Sequence, residues 1–164
     1  MISRFIKNIQ TNMKKYCGFT LVELLLALLI SSILATIAVN SYGAYMERLK
    51  IGQAKTDLLL IESELERFYT INLSYPGSLS QLTGQIPLLD PWGNPYQYLN
   101  ITTTKGKGKV RKDHNLVPLN TDYDLYSMGK DGKSVSPLTA KASRDDIIRA
   151  NNGGFIGLAS EYCH

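Results

Sequence analysis

The chain has 164 residues, of which 44% are hydrophobic and 20% are charged, and its formal net charge is +4. With 13 glycines, six prolines and two cysteines, this composition excludes a collagen-like chain and a disulfide-rich scaffold. The first 18 residues hold four of the 18 basic residues and no acidic one, so the remainder carries 14 charges of each sign. The overall basicity therefore belongs to the start of the chain and does not indicate a nucleic-acid-binding protein.

The first predicted element is an apolar run of 21 residues from Phe19 to Val39, in which Glu23 is the only charged residue. A helix of about 20 apolar residues spans the hydrocarbon core of a bilayer. The basic residues before the run predict that the start of the chain stays on the cytoplasmic side. A carboxylate in such a run costs about 2.5–3.5 kcal/mol, so Glu23 predicts a functional site with a cationic partner. The alternative is a plain membrane anchor with a stray glutamate.

A short basic leader, then Gly18-Phe19-Thr20-Leu21-Val22-Glu23, then an unbroken apolar helix form a specific pattern. This pattern resembles the processing site of type IV prepilins and type II secretion pseudopilins. The resemblance implies that a membrane prepilin peptidase cleaves between Gly18 and Phe19 and methylates the new amino terminus on Phe19. It also implies that the Glu23 carboxylate engages the terminal amine of a neighbouring subunit during assembly.

The helix is predicted to continue beyond the apolar run, because residues 42–69 contain no proline and repeat apolar residues at intervals of three to five. These positions predict an amphipathic face, formed by Leu49, Ala54, Leu58, Ile61, Leu65 and Phe68. The sequence thus predicts a leader peptide over residues 1–18 and a transmembrane and assembly helix with its amphipathic continuation over 19–71. A periplasmic globular domain is predicted over 72–164.

The globular domain begins with turn signals and continues with strand signals. Ser78 is placed to cap a short helix through Leu82, and residues 90–95 are dense in turn formers. Strands are predicted over 96–103, around 109–112 or a little beyond, and over 123–128. The predicted fold class is α+β: a long N-terminal α-helix, hydrophobic in its first half, packed on a small antiparallel β-sheet. The resemblance implies that this is the pilin-like fold, with a C-terminal loop of metal-binding type.

The segments 90–96 and 124–132 narrow the resemblance to the major (G-type) pseudopilin of the type II secretion system. In that family the loop after the last strand binds calcium, a cation that takes six to eight oxygen ligands. The resemblance implies main-chain ligands from Met128 and Lys133, and side-chain ligands from Asp131, Asp145 and Asp146. The alternative is that these aspartates cap a helix from Ile147 or face water.

A basic cluster lies between the predicted strands and consists of Lys105, Lys107, Lys109, Arg111 and Lys112. Lysines on one face of a hairpin could meet phosphates through a salt-sensitive interaction that does not depend on sequence. However, the cluster contains no aromatic residue on which bases could stack. The sequence therefore favours a solvated hairpin tip over a nucleic-acid partner.

No pattern in the chain predicts an enzyme: it has no glycine-rich phosphate loop, no nucleophile elbow and no metalloprotease helix motif. The resemblance implies a structural subunit anchored once in the bacterial inner membrane, with its globular domain in the periplasm, that polymerises with itself into a pseudopilus for type II secretion. The expected partners are prepilin peptidase, the inner-membrane assembly platform and other minor pseudopilins. The alternatives are a type IV pilus pilin, major or minor, and a membrane-tethered periplasmic binding module that does not polymerise.

Overall fold

The computed structural model describes residues 18–106 and 108–162. The predicted leader up to residue 17, Lys107 of the basic cluster and the last two residues lie outside this range. The chain divides into two compact units, one ending at Gly43 and the other beginning at Ala44.

The helix α1 extends from Leu21 to Asn72, which confirms the prediction that the helix continues beyond the apolar run. It contains no proline, and the start is fixed by Thr20, whose hydroxyl accepts a hydrogen bond from the backbone N–H of Glu23 at 3.2 Å. The helix ends where Leu73 adopts a positive φ of 54°, a conformation that cannot continue a right-handed helix.

The second unit contains a four-stranded antiparallel sheet in the order β1-β2-β3-β4. The strands are β1 (Gln97–Asn100), β2 (Tyr123–Ser127), β3 (Ile147–Ala150) and β4 (Phe155–Leu158), followed by the short helix α2 (Ala159–Tyr162). Three 3₁₀ turns lie between these elements, at Leu79–Gln81, Lys141–Ser143 and Asn151–Gly153. The fold is α+β, as the sequence predicts.

The main core lies between the second part of α1 and one face of the sheet. Four residues of α1 spaced by three or four are fully buried: Ala54, Leu58, Ile61 and Leu65. They pack against Tyr96, Tyr123, Leu125 and Ile147. The two ends of the predicted apolar face lie outside this core: Leu49 remains 48% exposed and Phe68 is half-buried.

The opposite face of the sheet carries a second, smaller apolar cluster. Because side chains alternate along a strand, Ile147 faces α1 whereas its neighbour Ile148 packs with Leu119 and Leu138. Ala150 and Ala159 complete this cluster. The segments around residues 119 and 138 are thereby held against the back of the sheet.

Two strand predictions differ from the structure. The first strand ends at Asn100 rather than 103, because the Asn100 side-chain oxygen accepts hydrogen bonds from the backbone N–H and the hydroxyl of Thr102 and so stabilises a turn. Residues 109–112 form no strand and contribute one isolated bridge, from Lys112 to Pro137. The pairing does not extend into a ladder, because the next residue, Asp113, exchanges backbone hydrogen bonds with Leu116 and the chain turns there.

A buried arginine joins α1 to the sheet. The side chain of Arg149 on β3 donates from Nε to Glu62 Oε1 at 2.7 Å and from Nη2 to Asp122 Oδ2 at 2.8 Å. Its guanidinium carbon also lies 4.1 Å from the centre of the Tyr123 ring. Burial lowers the pKa of Arg149, but the hydrogen bonds to both carboxylates more than offset this effect and raise it above its usual value. Arg149 is therefore a paired cation inside the fold.

Candidate functional site

The predicted processing site lies directly before α1. Gly18 and Phe19 are outside the helix and exposed, and the Phe19 side chain is 77% accessible. Thr20 and Glu23 form half of a capping box, in which the threonine hydroxyl satisfies a free N–H of the first turn. The Thr-x-x-Glu spacing would have revealed this cap in the sequence, and the structural role belongs to Thr20 because the bond uses only the backbone of Glu23.

The apolar run presents its side chains outward on every side of α1. All its large apolar side chains from Leu21 to Val39 are more than half exposed. By length and composition α1 could cross a membrane, and its most apolar window is not buried within the structure. Exposed apolar surface on this scale needs lipid or protein around it.

The turn over residues 90–95 anchors the start of the predicted calcium loop. The Asp90 carboxylate is 5% exposed, and its Oδ1 accepts hydrogen bonds from the backbone N–H groups of Trp92 at 3.1 Å and Asn94 at 2.8 Å. Its Oδ2 accepts a bond from the Ser127 hydroxyl, and Asn94 Nδ2 donates to the Gly129 carbonyl at 2.9 Å. The turn is thus tied to the end of β2 by side-chain hydrogen bonds.

We expect Asp90→Ala to lower the free energy of unfolding by about 1.5–3 kcal/mol, because it leaves buried donors in the turn without their charged acceptor. Asp90→Asn retains an acceptor oxygen and should cost less than half as much. Trp92 is the only tryptophan, so the urea midpoint of the full-length chain in detergent can be followed by its fluorescence. Equal midpoints for wild type and Asp90→Ala would contradict this role.

The predicted calcium ligands separate into two groups. Asp131 and Asp145 lie together, since the backbone N–H of Asp131 donates to Asp145 Oδ2 at 3.0 Å. Asp131 Oδ1 accepts a bond from the N–H of Lys133 at 2.8 Å. Gly129 allows this approach: its φ is +64°, and a Cβ there would lie 2.2 Å from the Asp145 carbonyl oxygen. Met128, the remaining predicted ligand, directly precedes this glycine and is half-buried.

Asp146 faces the opposite way into the protein and is fully buried. Its Oδ2 accepts a charge-assisted bond from Arg111 Nη2 at 2.6 Å and another from the Ser134 hydroxyl. Burial raises the pKa of Asp146 to about 6, although Arg111 and Ser134 act to lower it. The carboxylate is therefore mainly ionised at neutral pH and is neutralised by Arg111.

These positions do not fit one calcium ion bound by all five groups. One observation is compatible with a metal ligand: Asp146 Oδ1 is buried and has no hydrogen-bond partner among the described residues. However, the Arg111 guanidinium bound to Oδ2 of the same carboxylate would repel a divalent cation. Nowhere in residues 18–106 and 108–162 do three or more His, Cys, Asp or Glu side chains form a group that could hold a metal ion. Calcium binding itself is untested and stays a prediction.

The basic cluster is not one surface. Arg111 is 3% exposed and points inward, whereas Lys105 and Lys109 are exposed. The sequence groups Arg111 with the lysines because a basic residue is rarely buried unless it has a partner. In the structure Arg111 does have a partner, Asp146, which lies 35 residues further along the chain. No local signal in the sequence could have shown this pairing.

Comparisons with known proteins agree with the N-terminal geometry. The family model described as the prokaryotic N-terminal methylation motif matches residues 13–39, a range that includes Gly18, Phe19 and Glu23. The Type IV major pilin protein PilA of Myxococcus xanthus is 30% identical over 99 residues, which are 60% of this chain and 43% of that protein. No solved structure matches the chain.

Relatives that match over most of the chain share one name. The type II secretion system core protein G of Vibrio cholerae is 29% identical over 140 residues, covering 74% of this chain and 85% of that protein. The protein of the same name from Pseudomonas aeruginosa is 31% identical over 141 residues, covering 73% of this chain and 87% of that protein. The fold, the N-terminal motif and these relatives together show that the chain belongs to the family of type II secretion system core protein G.

Proposed function

We propose that the chain is the structural subunit of a periplasmic pseudopilus for type II protein secretion. Prepilin peptidase would cleave it after Gly18 and methylate Phe19, and the mature chain would polymerise with itself through the apolar run. The observation that carries this proposal is the exposed apolar first part of α1, which holds a single carboxylate at Glu23. The role is structural rather than catalytic, as the names of the related pilus and secretion proteins support.

The charge at Glu23 gives the proposed assembly its register. In lipid the new amino terminus at Phe19 and the Glu23 carboxylate would each need a partner. Glu23 lies four residues beyond Phe19, a separation of about one helical turn. A subunit displaced along the axis by roughly that distance, about 5.4 Å, could therefore pair its amine with its neighbour's carboxylate. Pairing offsets much of the free energy that is needed to keep either charge away from water. If two subunits were misaligned by one turn, the charges would not meet and this free energy would again oppose assembly.

The proposed location follows from the charge of the segments. Before assembly the mature chain would cross the inner membrane once, with its globular part in the periplasm, because the basic leader favours the cytoplasmic side. The proposed partners are prepilin peptidase, an inner-membrane assembly platform and other minor pseudopilins.

Cleavage after Gly18 can be tested without disturbing the fold, since a Cβ at Gly18 would contact nothing within 4 Å. We expect Gly18→Val to accumulate as the uncleaved precursor, because the added branched side chain must enter the peptidase site. Mass spectrometry of the amino terminus would show methylated Phe19 for the wild type in a host with the peptidase. Gly43→Val is the matched control, because that glycine also has open space around it.

In a host without the peptidase, both the wild type and the control should retain the leader. An intact precursor for the wild type in both hosts would contradict processing. A normally trimmed Gly18→Val variant would contradict the assignment of Gly18 to the cleavage site.

A type IV pilus subunit is the second candidate, and the similarity to PilA favours it over the remaining alternative. That similarity covers less than half of PilA, whereas the core protein G relatives are matched over most of their length. A non-polymerising binding module would differ from both, since loss of the Glu23 charge should leave its ligand binding unchanged. Deletion of the type II secretin distinguishes the first two candidates. If the chain is a secretion subunit, its loss should reduce enzyme export only in cells that have the secretin. A pilus subunit should not change enzyme export in either strain.

A further inference from the structure

Arg111 connects three parts of the second unit through one side chain. Its Nη1 donates to the carbonyl of Val135 at 2.9 Å and to the Ser134 hydroxyl, and its Nη2 donates to Asp146 at 2.6 Å. Its guanidinium carbon lies 4.2 Å from the centre of the Tyr126 ring on β2. A single cation thus holds the middle of the loop, the end of the loop and the sheet.

The backbone around Arg111 strengthens this connection. Its N–H donates to Asp124 Oδ2 on β2 at 2.7 Å. On the next residue, the N–H of Lys112 donates to the Ser136 carbonyl at 3.1 Å, and the Lys112 carbonyl accepts from the N–H of Leu138 at 2.9 Å. The segment 110–112 is therefore fixed to β2 on one side and to the loop on the other.

The electrostatics of the Arg111–Asp146 pair favour a permanent cation here. Both side chains are at least 96% buried, so the interaction is screened little by solvent. A guanidinium keeps its charge at any physiological pH and donates several bonds in a fixed plane. A divalent ion beside Asp146 would have to approach this charge or displace it.

We infer that the Arg111 guanidinium acts as a built-in cation that closes the loop over residues 128–146, in place of the calcium ion that the family resemblance implies. Asp146 is then the anion of an internal ion pair rather than a metal ligand. The order of the loop, and with it the stability of the second unit, becomes independent of calcium.

The test compares Arg111→Met with Arg144→Met in the full-length chain in detergent. Both variants lose one guanidinium near Asp146, but Arg144 is exposed, and its side chain takes part in no hydrogen bond or ion pair among the described residues. We expect Arg111→Met to lower the melting temperature, followed by Trp92 fluorescence, by about 10 °C or more, because it leaves a buried carboxylate unpaired. Arg144→Met should change it by about 2 °C or less. Arg111→Lys, which keeps the charge and loses the planar fork, should fall between them.

The melting temperature of the wild-type chain is also measured in millimolar calcium chloride and in EGTA. This comparison does not require the variants to fold. We expect equal melting temperatures in the two buffers. Trypsin gives a second readout, since the loop contains Lys130, Lys133, Lys141 and Arg144. Cleavage of the wild-type loop should proceed at the same rate in both buffers and about tenfold faster in Arg111→Met.

Two results would overturn the inference. One is a wild-type chain that melts higher, or whose loop resists trypsin longer, in calcium than in EGTA. The other is an Arg111→Met variant as stable and as resistant as Arg144→Met. Calcium-insensitive wild type together with a destabilised or unfolded Arg111→Met variant would support it.

Discussion

Replacing Glu23 by glutamine is expected to abolish fibre assembly while the protein still accumulates in the membrane. The amide has nearly the size of the carboxylate but no charge, so in a fibre the amine on Phe19 of the neighbouring subunit would be left unpaired in apolar surroundings. Removing one partner of a buried ion pair costs about 3–5 kcal/mol, which weakens subunit addition by at least about a hundredfold. Fibres sheared from cells and quantified against total processed protein would measure this loss.

Thr20 gives a control for the charge, because its hydroxyl caps α1 by accepting the backbone N–H of residue 23, which any residue at that position keeps. Thr20→Ala removes that cap at a cost of about 1 kcal/mol and leaves the charge at Glu23 in place. We expect Thr20→Ala to form fibres and Glu23→Asp, with its charge on a shorter side chain, to form fewer. Normal fibres from Glu23→Gln would show that the carboxylate does not drive assembly.

Arg149→Met should destabilise the second unit by about 3–5 kcal/mol, because it leaves Glu62 on α1 and Asp122 before β2 without their shared cation. The contact with the Tyr123 ring is lost as well. Methionine keeps an unbranched apolar side chain of similar reach, so the variant tests mainly the charge. The urea midpoint of the full-length chain in detergent, followed by Trp92 fluorescence, is the measurement.

The matched control for this prediction is Arg67→Met. Arg67 also pairs with a carboxylate, that of Glu64 at 2.6 Å, but this pair lies on the surface of α1. An exposed pair contributes little to stability because solvent screens it, so its loss should barely move the urea midpoint. If Arg149→Met and Arg67→Met had the same small effect, Arg149 would not be the clamp between α1 and the sheet.

The helix and its buried face could be predicted because both follow from local pattern. An apolar run without proline fixes the first part of α1, and the spacing of Ala54, Leu58, Ile61 and Leu65 predicts which face the sheet covers. The strand β2 was predictable for the same reason, since it is short, rich in aromatic and apolar residues, and bounded by turn formers.

The strand β3 was missed because its local signals conflict. Asp145 and Asp146 resemble helix caps, and residues 147–150 are too few to show an alternating pattern. In the structure all four residues of β3 are buried, including Arg149, because the sheet has apolar clusters on both faces. Burial on both sides erases the alternation from which a strand is recognised.

The interior of the loop could not be predicted because its contacts join residues far apart in the chain. Arg111 bonds Asp146, which lies 35 positions later in the chain, and Asn94 bonds Gly129, which also lies 35 positions later. The family resemblance supplied a ligand set for this loop, but it could not show that a basic residue from another segment reaches the same carboxylate. Only the folded structure shows that Arg111 binds the carboxylate that the resemblance assigns to calcium.

Electron microscopy of immunolabelled fibres tests the central claim most directly, in cells that overproduce this chain together with the prepilin peptidase and a type II secretion assembly platform. Our account predicts labelled fibres whose subunits begin at methylated Phe19 and that are absent when the peptidase gene is deleted. Chains that mass spectrometry shows to be fully trimmed and methylated, yet that remain as single molecules in the inner membrane without fibres, would contradict it.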